Sequence, residues 1–62
     1  MEIQINNKTS AWELISNVFQ ILPNRNYRQN WQDITFGMEQ DLSKVKDCAE
    51  KIGVRLIEVE AE

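Results

Sequence analysis

Isoleucines at positions 3 and 5 alternate with Glu2, Gln4 and Asn6 at the start of the chain, the period-two pattern of a half-buried strand. The period then changes. Apolar residues at 11, 12, 14, 15, 18, 19, 21 and 22 cover too much of a helical surface to face one neighbour. Such a helix is either buried on most sides or buried on one side with the other offered to a partner. Ser10, with Glu13 three positions on to return its hydrogen bond, predicts the start of this helix. Pro23, which biases Leu22 away from helical angles, predicts its end.

Residues 24 to 37 admit two patterns. Tyr27, Trp31, Ile34 and Met38 fall at helical spacing, whereas Ile34, Phe36 and Met38 also alternate as a strand would. The β-preferring Thr35 and Phe36, broken by Gly37, favour a short strand at 33 to 37 after an irregular or one-turn segment at 26 to 31. Two consecutive helices before the last strand form the competing arrangement. Met38, Leu42, Val45, Ala49 and Ile52 then recur at steps of four and three, and Gly53 offers the left-handed residue that commonly follows a helix end. The pattern predicts a helix over 39 to 52. "VRLIEVE", residues 54 to 60, reads as a strand with Ile57 and Val59 inward against outward Glu58 and Glu60, and Ala61 and Glu62 are expected to fray.

These elements predict an α/β fold, with small α+β as the alternative: a compact β-α-β-α-β single domain over residues 1 to 62. Two helices pack on one face of a three-stranded sheet, since helix crossovers favour parallel pairing. The other face of the sheet is left open. A chain of 62 residues buries only about 60% of the surface it exposes when unfolded, so self-association as a homodimer or docking onto something larger is expected.

Composition sharpens this in three ways. Hydrophobic residues at 42% and charged residues at 27% are ordinary for a globular domain and argue against disorder. One cysteine cannot build an internal disulfide framework, no apolar run approaches the roughly 18 residues of a membrane span, and no basic region leads into an apolar segment at the N-terminus. A soluble, cytoplasmic protein is expected. The net charge of −3 is divided unevenly, +1 over residues 1 to 31 and −4 over residues 32 to 62. The acidic half repels phosphate, so direct nucleic-acid binding would lack the electrostatic contribution that dominates such complexes.

The absence of histidine removes the commonest general base and metal ligand, and a lone cysteine cannot assemble a zinc site. Gly37 and Gly53 stand apart from any phosphate-binding loop, so no metal and no cofactor is expected. Cys48, late in the second helix beside its apolar seam, reads as a small half-buried hydrophobe rather than a nucleophile. The pairs Glu58 with Glu60 and Glu39 with Asp41 read as a solvated acidic face, because nothing supplies a cleft around them. A non-enzymatic protein is expected.

The stretch "NRNYRQNWQD", residues 24 to 33, gathers tyrosine, tryptophan and arginine, the types most enriched at the centres of protein interfaces. Arg25, Tyr27, Arg28 and Trp31 are therefore the first candidate partner-binding residues, unless Tyr27 and Trp31 instead close the open end of a small core. The carboxylates of Glu39, Asp41, Asp47, Glu50, Glu58, Glu60 and Glu62 form a second candidate, with Glu58 and Glu60 foremost. Lys44, Lys46 and Lys51 dilute its field. "YRQNWQDI", residues 27 to 34, after a helix and a Leu-Pro step, resembles the segment after the first helix in barstar-type ribonuclease inhibitors, which are small acidic α/β proteins. The likeness spans those residues and a coarse order of elements. The chain lacks the length for that family's further helix and its spacing from proline to tyrosine differs by a residue, so no binding residues carry over.

The function expected from these features is binding to a larger protein and inhibiting or modulating it, in the manner of an inhibitor, an immunity protein or a phage accessory (anti-defence) protein. An acidic nucleic-acid mimic that blocks a DNA- or RNA-binding protein is the first alternative. A structural self-assembling subunit is the second.

Overall fold

Ser10 starts the first helix as expected: its hydroxyl oxygen accepts from the main-chain N–H of Glu13 at 3.1 Å, although the returning bond from the Glu13 carboxylate is not found among the described residues. The computed structural model describes residues 1 to 60, so the expected fraying of Ala61 and Glu62 lies outside it. In chain order the elements are β1 (Glu2–Ile5), α1 (Ala11–Ile21), α2 (Arg25–Thr35), α3 (Leu42–Lys51) and β2 (Arg55–Glu58). α1 stops where Pro23 requires it, with Leu22 extended at φ −66° and ψ 136°.

The strands β1 and β2 pair in parallel, Glu2 opposite Arg55 through Ile5 opposite Glu58, and make a two-stranded sheet. Over the described residues the result is a small α+β domain with three helices, so the expected three-stranded sheet and pair of helices are corrected on both counts. The expected strand at 33 to 37 is the end of α2 and a turn. Asn24 decides the matter, because its side-chain oxygen accepts from the N–H of Tyr27 at 3.1 Å and nucleates a helix that the spacing of Trp31 and Thr35 then continues into the core. That local cap outweighs the alternation of Ile34, Phe36 and Met38.

After α2 the chain turns through Thr35, Phe36, Gly37 and Met38. The N–H of Met38 donates to the Thr35 carbonyl at 3.0 Å, Phe36 sits at φ −58° and ψ 124°, and Gly37 at φ 82°. This is a type II turn, whose third position requires a positive φ. α3 begins three residues later than its apolar spacing suggests, because Asp41 accepts from the Lys44 N–H at 3.1 Å and leaves Met38 in the preceding turn. It closes with paired bonds, Val54 N–H to Ala49 carbonyl at 2.9 Å and Gly53 N–H to Glu50 carbonyl at 3.1 Å, around Gly53 at φ 92°. These are the two bonds of a Schellman motif.

That motif also sets the phase of β2. Val54, held by the bond to Ala49, is buried, and Leu56 follows it onto the core side opposite Ile3. Ile57 therefore lies on the outer face beside Gln4, and Val59 is exposed, which inverts the expected inward pair Ile57 and Val59. A strand displaced by one residue exchanges its faces completely. α1 and α3 cover the face of the two-stranded sheet that carries Ile3, Ile5 and Leu56, while Glu2, Gln4 and Arg55 are exposed. α1 packs against β1, α2 and α3, while α2 rests on α1 and α3 rather than on either strand. Leu14, Val18, Trp31 and Val45 meet at the fully buried centre.

Candidate functional site

The helix that forms over "NRNYRQNWQD" separates the residues that the sequence placed together. Trp31 points inward, fully buried, and its indole N–H donates to the main-chain carbonyl of Ile15 at 2.9 Å. It is a core residue, which corrects its assignment to a binding surface and agrees with the other use foreseen for it. Arg28 turns back onto α1. Its Nε donates to the carbonyl of Leu22 at 3.1 Å, past the last turn of α1, and its guanidinium lies 6.0 Å from the centre of the Phe19 ring. A cation at the end of a helix opposes its negative pole, so Arg28 has structural work to do. Tyr27, Arg25 and Arg28 are all exposed. Tyr27 lines a small opening of about 230 Å³ with Met1, Leu22, Asn30 and Ile52.

Glu58 and Glu60 sit at the carboxyl ends of the parallel strands. With Asn6, Asn7, Leu42, Lys46 and Val59 they border an open groove of about 550 Å³. The Glu58 carboxylate lies 3.2 Å from the Lys46 ammonium, so this carboxylate already has a counter-charge. Asp41, another member of the acidic set, caps α3 and lies 3.8 Å from Lys44. Glu62 lies outside the described residues.

The residues that sequence reasoning missed are Trp12 and Phe36. Trp12 is 62% exposed and Phe36 88% exposed, and both line one groove of about 360 Å³ between α1 and the end of α2. Each position has a local cause. Ala11, Leu14 and Val18 point α1 into the core, and Trp12 stands about 100° around the helix from Ala11, at the margin of that face. Phe36 occupies the first corner of the type II turn, ahead of Gly37, where a side chain projects from the chain reversal. The signal for Trp12 lay in its offset from the row of 11, 14 and 18. No comparable signal marked Phe36, whose exposure depends on a turn that the alternation of its neighbours concealed.

Among the described residues no group of three or more acidic or cysteine side chains is arranged to hold a metal ion, and no helix is long and apolar enough to cross a membrane. Cys48 is half-buried against the core, its sulfur 4.0 Å from that of Met38. Every buried side-chain nitrogen and oxygen among the described residues has a hydrogen-bond partner. Comparison with protein-family models, with curated proteins and with solved structures finds no match for this chain.

Proposed function

We propose that this chain is a non-enzymatic cytoplasmic protein that binds a larger protein and inhibits or modulates it, using the groove that holds Trp12 and Phe36. The observation that carries the reading is the exposure of those two rings beside a closed core. Burying a large apolar side chain is worth about 1.5 to 3 kcal/mol, and a chain of this size has few such residues to use. Leaving a tryptophan and a phenylalanine in water within one groove is an arrangement that a partner would reward. Aromatic anchors in a concave patch are also the usual centre of a protein interface.

Arg25 and Tyr27, on exposed positions of α2, are secondary candidates for contact. The reading as an acidic nucleic-acid mimic has less support, because Glu2, Asp41 and Glu58 each lie within 4.0 Å of an arginine or lysine and the single-sign field such mimicry needs is broken up. The test is affinity capture from the cells that make the protein, run in parallel with Trp12→Ala, Phe36→Ala and Tyr27→Ala baits. The reading requires a stoichiometric partner that the first two variants lose. Retention of that partner by both, or turnover of a substrate by the purified chain alone, would refute it.

A further inference from the structure

We infer that the partner of the Trp12 and Phe36 groove presents an apolar pocket bordered by lysine or arginine; the inference rests on the binding role proposed above and adds the chemistry of the surface it meets. The charged residues lining the groove are Asp33 and Glu39, and no lysine or arginine lines it. Neither carboxylate takes part in an ion pair among the described residues, where the acidic partners are Asp41, Glu58 and Glu2. Among the described residues Asp33 accepts only from the side-chain amide of Gln29, at 3.2 Å. The nearest cation along α2, Arg28, is committed to the Leu22 carbonyl and the Phe19 ring. Two exposed aromatic rings thus share a groove whose charged lining residues are both acidic.

That lining selects among occupants. A second copy of the chain docking groove to groove would oppose a rim holding only carboxylates to the same rim, and like charges across an interface cost affinity. Nucleic acid is disfavoured for the same reason, since its phosphates would meet Asp33 and Glu39. A cationic rim around an apolar pocket satisfies both features: the pocket takes the rings, which govern how long the complex lasts, and the rim steers its approach.

Intrinsic fluorescence provides the test, because Trp31 is fully buried and Trp12 alone of the two tryptophans can change its surroundings on docking. The probes are a synthetic amphipathic peptide with leucine on one face and lysine on the other, and the same peptide with glutamate in place of lysine. The lysine peptide is expected to shift Trp12 emission to the blue and to bind at least about tenfold tighter than the glutamate peptide, a difference of about 1.4 kcal/mol. The double variant Asp33→Lys, Glu39→Lys should reverse that preference. An equal change of net charge elsewhere, Glu58→Lys with Glu60→Lys, should leave it intact. Phe36→Ser should weaken the lysine peptide about tenfold or more.

Equal binding of the two peptides, binding of neither, a preference abolished by the Glu58 and Glu60 changes instead, or a Phe36-dependent dimer in sedimentation velocity would each overturn the inference. Failure here is separable from failure of the binding role. A captured partner that depends on Trp12 and Phe36 but ignores reversal of Asp33 and Glu39 would leave the role standing and remove only the basic rim.

Discussion

The indole N–H of Trp31 meets the main-chain carbonyl of Ile15 at 2.9 Å, so α2 is fastened to α1 by a polar bond at the edge of an apolar core. A buried tryptophan carries one donor that must find a partner, and here a helix carbonyl supplies it without a buried polar side chain. The position of α2, and with it the Phe36 wall of the groove, follows from this fastening.

Trp31→Phe should therefore destabilise the fold by about 1 to 3 kcal/mol, through loss of the bond and of part of the ring, and Trp31→Ala by about 3 to 5 kcal/mol. The larger loss is comparable to the whole stability expected for 62 residues, roughly 3 to 9 kcal/mol. Urea denaturation followed by circular dichroism measures both. A Trp31→Phe protein with an unchanged midpoint would show that the fastening is dispensable.

Asn24→Ala should cost about 1 kcal/mol, with Asn24→Asp close to neutral, since the side-chain oxygen that accepts from Tyr27 is what starts α2. Thermal melts of the two variants compare them directly. If residues 25 to 35 were not a helix in solution, the alanine variant would melt with the parent protein.

Gly53→Ala should cost about 1 to 2 kcal/mol, as should Gly37→Ala, because both glycines hold φ near 90° and an added Cβ meets nothing within 4 Å. The penalty lies in the backbone alone. Chemical synthesis with D-alanine at either position should accordingly remove it, and a D-alanine protein as unstable as the L-alanine one would contradict this account.

Phe36→Ser should change stability by less than about 0.5 kcal/mol while weakening partner binding about tenfold or more, because the ring is 88% exposed and contributes little to the core. Chemical denaturation and partner titration of the same preparation separate the two effects. A large loss of stability would reassign Phe36 to the fold.

Where a hydrophobic pattern and a local stop signal agreed, the sequence was readable. α1 had Ser10 and Pro23 at its ends, α3 had the row of Val45 and Ala49 before Gly53, and β1 alternated cleanly. The segment after Pro23 was not, because its apolar residues satisfy two periods at once and the deciding interaction is a single side-chain bond from Asn24. The face of β2 was misjudged because Ile57 and Val59 are as apolar as Val54 and Leu56, and only the closing turn at Gly53 chooses between them. For the candidate site, aromatic and arginine content drew attention to residues 25 to 31, yet helix formation turned Trp31 into the core and hydrogen-bonded the exposed Arg28 back onto the end of α1. Trp12 and Phe36 come from different elements, and their meeting in one groove is a product of tertiary structure.

Glu2 and Arg55 stand side by side although 53 positions separate them along the chain. A growing polypeptide therefore carries β1 without a mate until β2 has emerged from the ribosome, and the floor beneath α1 and α3 can be laid only then. Contacts of such long range form late and slowly. A protease that clips β1 would strip the helices of Ile3 and Ile5, one that clips β2 would strip them of Leu56, and either cut leaves the other strand without its mate, so the chain should be lost as one unit rather than trimmed.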